Sequence, residues 1–227
     1  PSPSTGNGNG TRATLMHTLG WSQCGGVTRR HHAIRDALGS LLTRAGYVVE
    51  YEVPLTRVLP NGSPHAPKDE ETLRMDIVAH PPSNAKPLFI DTTVLNSATK
   101  TLMDKDVFKE LDKKERAKME KYDAVAKEVG AVFLPFALDI YGRMSAECRS
   151  FLSSVVTDMR AACPSDDEKQ SITLNATIVP ALSRALALGN GTCFLLSGRL
   201  RDIGMEFGRA AATTPKDGGD KSGSVSG

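Results

Sequence analysis

The sequence predicts an α/β fold, a sheet with helices packed on it. Three short runs, 47–55, 74–79 and 88–94, alternate apolar and polar residues with period two. Two amphipathic helical stretches flank them, and a mostly apolar run, 131–138, follows the second. The order is therefore helix, three strands, helix, strand, helix, and with 40% hydrophobic residues in 227 the chain can bury one sizeable core.

The first helix is expected from about Arg30 to Ala45, because Ile34, Leu38, Leu41 and Leu42 recur at helical spacing and Gly46 then stops the pattern. In the first strand Tyr47, Val49, Tyr51, Val53 and Leu55 share one face and leave Glu50 and Glu52 on the other. The same alternation sets Met75, Ile77 and Ala79 opposite Asp76, and Leu88, Ile90 and Val94 opposite Asp91 and Thr93. If these strands are neighbours, Asp76, Asp91 and one of the two glutamates converge. A long helix is expected over 104–129, ended by Gly130, with Phe108, Leu111, Tyr122, Val125 and Val129 as its buried stripe. Two more helices are expected, at 145–162 and roughly 171–188.

The termini, PSPSTGNGNGT and TTPKDGGDKSGSVSG, are too polar and Gly-rich to repay ordering by burial. The expected organisation is a disordered tail over 1–16, a main domain over 17–165, a helical extension packing on it over 166–209, and a second tail over 210–227. Formal net charge is +2, from 28 basic and 26 acidic residues, so nucleic-acid affinity has to come from local patches. The four cysteines form no CxxC pair and no apolar run reaches a membrane span, which points to a reduced, intracellular protein. The absence of an initiator Met suggests a segment of something longer.

Three carboxylates a few ångströms apart repel by roughly 4 kcal/mol per pair at an effective dielectric near 20, so such a cluster calls for a cation or raised pKa values. Mg²⁺, or Mn²⁺ in its place, takes one or two carboxylates, waters and phosphate oxygens, and supports phosphodiester hydrolysis. The expected metal ligands are Asp76, Asp91 and a glutamate, with Glu52 preferred over Glu50 because it lies nearer the Pro54 bend. A lysine beside the acids would orient the attacking water or offset phosphate charge. At about 100° per residue Lys118 falls inside the buried stripe of the long helix, and Lys121 sits at its edge.

The segments RRHHAIRDAL, VVEYEVPL, RMDIVAH, PLFIDTTV, KMEKY and AVFLPFALDIYGRMSAECRSFL, in this order, resemble the restriction-like endonuclease (PD-(D/E)xK) domain of site-specific non-LTR retrotransposon proteins. ALSRALALGNG is similar to that family's final helix, so the likeness spans roughly 24–195. The resemblance implies a restriction-endonuclease-like core and catalytic residues Asp76, Asp91, Lys118, Glu52 and Lys121. In that family Asp-x-Thr-Val replaces acid-x-lysine, matching Asp91, Thr93 and Val94, and a displaced lysine occurs in K-x-x-K-Y, matching Lys118, Lys121 and Tyr122. It also implies nicking of target DNA to prime reverse transcription, a parent polyprotein with a reverse transcriptase domain, and a nuclear location. Where the family carries a Cys/His zinc knuckle, Trp21 stands in place of the leading cysteine. Cys24, His31 and His17 fall short of a four-ligand site, and bound zinc is not expected.

Arg30, His31, Arg35 and Thr93 are the expected nucleic-acid contacts, the first three forming a positive end on the first helix. Tyr122 is expected in the core. The rival to a nuclease is a non-catalytic module of the same fold that binds nucleic acid or protein, and the near-neutral net charge favours it.

Overall fold

In the computed structural model, residues 25–66, 73–83 and 85–193 are described. Helix α1 spans Gly26–Arg44, starting four residues before the predicted point, and buries Ile34, Leu38, Leu41 and Leu42. Strand β1 is Val48–Pro54, followed by a single helical turn, α2, at Leu55–Val58. Strands β2 (Arg74–His80) and β3 (Leu88–Leu95) come next. Helix α3, Val107–Glu128, begins where the Asp106 side chain accepts a hydrogen bond from the Phe108 amide, a usual N-cap arrangement. Strand β4 (Val132–Asp139) leads to α4 (Ala146–Ala162), capped by Ser145.

The fold is mixed α/β. One four-stranded sheet has the order β1-β2-β3-β4, antiparallel between β1 and β2 and between β2 and β3, and parallel between β3 and β4. The parallel pair requires a crossover, and α3 is that crossover. One sheet face, with Ile77, Ala79, Ile90, Phe136 and Leu138, packs under α1 and α4. The other, with Val78, Phe89 and Phe133, packs under Tyr122, Val125 and Ala126 of α3. Burying each Val, Leu, Ile or Phe among these contributes about 1.5–3 kcal/mol, so the two cores fix the helices against the sheet.

The helix expected over 171–188 is not continuous. Short helix α5 (Asp166–Ser171) ends at an extended Ile172, and Thr173 starts a new segment by accepting from the Ala176 amide. A π-helical turn at Leu174–Ile178 then leads into α6, residues 179–193. Ile178, Leu182, Ala185 and Leu186 join the α1/α4 core. Here α6 approaches α1 closely: a Cβ on Gly189 would sit 2.7 Å from the Arg30 Cα, so glycine is needed for the contact.

Three expectations about side chains are corrected. Arg30 is 1% exposed and donates to Asn190 Oδ1 at 3.3 Å, so it is a core residue and not a DNA contact. Phe108 is 50% exposed, because the first turn of α3 is seated by Val107 and Leu111, while Glu115 takes a buried place on the helix. Strand β1 does not keep one apolar face. Glu52 has φ 51°, a left-handed conformation unusual for a residue with a Cβ, and the alternation breaks there. Of the apolar face expected in β1, Tyr51 is 41% exposed while Val53 and Leu55 are buried. The proposed tails, and residues 194–209 of the extension, lie outside the described residues.

Among the described residues no helix is long and apolar enough to cross a membrane.

Candidate functional site

Sheet register explains why acids collect. The β1/β2 ladder pairs Tyr51 with Ile77 and Val53 with Met75, stepping over Glu52 and Asp76. The β2/β3 ladder ends at Ile77 and Ile90, one step short of Asp76 and Asp91. Glu52, Asp76 and Asp91 are thus one row across three strands, at the level where β2 parts from β3. Backbone groups released there need other partners.

Asp76 supplies one of them. Its Oδ2 accepts from the Thr92 amide at 2.6 Å and from Thr92 Oγ1 at 2.7 Å, bridging the fork between the strands. Its Oδ1 lies 3.3 Å from Nε2 of His31 on α1, whose ring is also 3.3 Å from Thr92 Oγ1. Burial alone would raise the Asp76 carboxyl, but the His31 hydrogen bond and charge and both Thr92 bonds outweigh it and hold it below the usual range. For His31, burial acts downward, and Asp76 overrides it, so the imidazole is raised.

The Asp76–His31 pair predicts a pH window for stability. Asp76, lowered in the fold, contributes above the ordinary carboxylate value and loses that contribution as pH falls through its folded pKa. His31, raised, contributes fully below the ordinary imidazole value and loses it as pH rises through its folded pKa. Between about pH 5.5 and about pH 9 the urea midpoint of the parent should drop further than that of His31→Gln. Parallel drops would show that the pair contributes nothing to the pH dependence.

Asp91 behaves in the opposite sense. It is 5% exposed, and desolvation, with a smaller contribution from Asp76, raises its carboxyl despite the Lys118 ammonium. Lys118 Nζ stands 2.7 Å from Oδ2, an oxygen shielded from solvent that has no other partner among the described residues. The lysine comes from α3, whose buried stripe turns position 118 toward the sheet, and its side chain is 34% exposed. Lys121 lies 4.7 Å from the centre of the Tyr122 ring and is exposed. Tyr122 itself is 4% exposed and stacks on Phe133 at 5.3 Å.

Asp76 is bound by His31 of α1 and Asp91 by Lys118 of α3, and the two acids lie near enough for Asp76 to help raise the Asp91 carboxyl. Glu52 is drawn away from both: Arg35 Nη1 donates to it, and His32 Nε2 is 3.9 Å away. Among the described residues the His, Cys, Asp or Glu group with all ligand atoms within 4.8 Å is Asp112, Glu115 and Glu147, and Glu52, Asp76 and Asp91 do not close to that spacing. Glu52 as a metal ligand is therefore corrected, because its left-handed backbone aims it at α1. Glu50 is no substitute, being bound to Arg57 at 2.9 Å.

Arg35, expected on phosphate, is committed to Asp36 and Glu52 with a side chain 12% exposed. Thr93 is half-buried, and its neighbour Thr92 makes the contacts at the fork. His31 engages an acid and not an open surface. Cys24 and His17, the other conceivable zinc ligands, lie outside the described residues. Sequence reasoning missed the roles of Thr92 and His31. The signal for Thr92 was its parity with Ile90, which faces it toward α1.

Asp76 and Asp91 are the residues at the fork that could hold a hard cation, which prefers carboxylate oxygens and keeps waters in its other positions. No protein-family model matches the chain, and no curated protein matches it.

Proposed function

We propose that the chain is a Mg²⁺- or Mn²⁺-dependent DNA endonuclease with a restriction-endonuclease-like core. The observation that carries the reading is Lys118 Nζ, 2.7 Å from Asp91 Oδ2, at the level where β2 and β3 separate beside Asp76. Two acids with opposed pKa shifts and a lysine at one point are the grouping that a hydrolytic site needs. Asp76 and Asp91 are the residues that would hold the metal. When bound, that ion lowers the pKa of its water and offsets charge on the phosphate. Thr92, donating twice to Asp76, keeps that carboxylate ionised and fixed, and His31 holds its second oxygen. Lys118 would orient the attacking water or neutralise a phosphate oxygen, and Asp91 keeps its ammonium in place.

Together with the ordered set of segments resembling the non-LTR retrotransposon domain, this suggests nicking of target DNA for integration. It would act in the nucleus, beside a reverse transcriptase domain of a longer parent. Purified chain incubated with supercoiled plasmid and about 5 mM Mg²⁺ or Mn²⁺ should yield open circles, and none in EDTA. The +2 net charge favours the second reading, a non-catalytic nucleic-acid or protein-binding module. DNA retention without nicking in either metal would select it.

A further inference from the structure

We infer that Lys114 and Lys121, with Lys118 between them, form a phosphate-binding rail on the β2 side of α3 that lays one nucleic-acid strand across the Asp76–Asp91 fork. The inference rests on the fork being the nuclease site, and it adds where the substrate lies and which side it enters. At about 100° per residue the three lysines fall in a stripe about 60° wide that also holds the buried Val107 and Val125, with Leu111 and Tyr122 beyond its Lys118 edge. Lys118, midway along the row and on its buried edge, reaches Asp91, while Lys114 and Lys121 are exposed. Among the described residues the ion pairs made by α3 lysines are Lys118–Asp91 and Lys127–Asp123, and neither flanking lysine belongs to one.

The other flank of α3 carries the opposite charge. Asp112, Glu115 and Glu147 gather within 4.8 Å above Phe133, Leu134 and Pro135 of the outer strand β4. Arg116 stands among those three acids, and Glu110 and Glu128 on the lysine flank are engaged by Lys105 and Ser63, so a polyanion is favoured on the side of Lys114 and Lys121. From Lys114 to Lys121 the helix rises about 10 Å, the axial length over which one DNA strand presents about three phosphates. Asp76 and Asp91 need such a counterweight, since two carboxylates alone would push a phosphate backbone away.

The test is binding of a duplex of about 20 base pairs in EDTA, followed by fluorescence anisotropy over a salt series. Lys114→Gln/Lys121→Gln should weaken binding at least tenfold at about 0.1 M salt and flatten the log K against log salt slope by about 1.8, which is about 0.9 for each phosphate that the variant no longer neutralises. Lys109→Gln/Lys113→Gln removes the same charge from the outward face and should change affinity less than about twofold. Equal weakening in the two double variants, an unchanged slope, or no measurable duplex binding by the parent at low salt would overturn the rail. Plasmid nicking by the parent separates the two ideas. Rail-dependent binding without nicking removes the nuclease reading alone, and nicking with rail-independent binding removes the rail alone.

Discussion

Asp91→Asn should lower metal-dependent nicking by about 1,000-fold or more, ~4 kcal/mol of transition-state stabilisation, while duplex binding in EDTA stays close to that of the parent. The physical reason is the position of this acid. It is nearly inaccessible, its carboxyl is raised by burial, and it faces a second acid across the fork, so at neutral pH its ionised form opposes folding and welcomes a cation. A raised carboxyl contributes stability fully below its ordinary pKa, and that contribution is lost as pH rises through the folded value. Two readouts follow that do not depend on turnover. Mg²⁺ should raise the Tm of the parent by preferential binding to the folded chain, and should do so far less for Asp91→Asn. Without metal, the variant should be at least as stable as the parent near neutral pH. Parent-like nicking by the variant would remove Asp91 from the site.

Lys118→Ala should lower kcat at saturating DNA by about a hundredfold or more, the scale typical of a positioned acid–base group, with little change in KM. Lys121→Ala should do the reverse, raising KM with kcat nearly unchanged. The contrast comes from the two environments: one ammonium sits 2.7 Å from a buried carboxylate, and the other rests over an aromatic ring at 4.7 Å with its surface open to water. Removing Lys118 also leaves Asp91 buried without its counter-ion, so its stability has to be followed in parallel. Single-turnover nicking at several DNA concentrations separates kcat from KM, and the opposite ranking would exchange the two lysines.

The α/β class and the main strands were legible because strand and helix periodicities are local properties of the chain. Asp76, Asp91 and Lys118 were legible for the same reason: parity places the acids on adjoining strands, and 100° per residue turns Lys118 inward. What was not legible is where the backbone departs from the repeat. At Glu52 a positive φ turns the acid toward Arg35, and no pattern of apolar residues announces that. Arg30 looked like a surface cation in a basic cluster, and only α6, from the far end of the sequence, makes its position interior. The break at Ile172–Thr173 was likewise hidden, since Leu174, Ile178 and Leu182 retain helical spacing across it.

Arg30 and His31 are consecutive residues that serve different neighbours. One is clamped 160 positions along the chain to Asn190, beside the glycine that lets α6 approach, and the other holds an oxygen of Asp76. Damage in α6 is therefore felt one peptide bond from the imidazole that holds Asp76. A side chain at Gly189 would press on the Arg30 backbone, so α6 and α1 have to separate next to the imidazole. In a screen scored only by loss of function, substitutions along α6 would cluster with those at the fork. Such a map charts the mechanical support of the site together with its chemistry, and only measurements of folding on the same variants can divide the two.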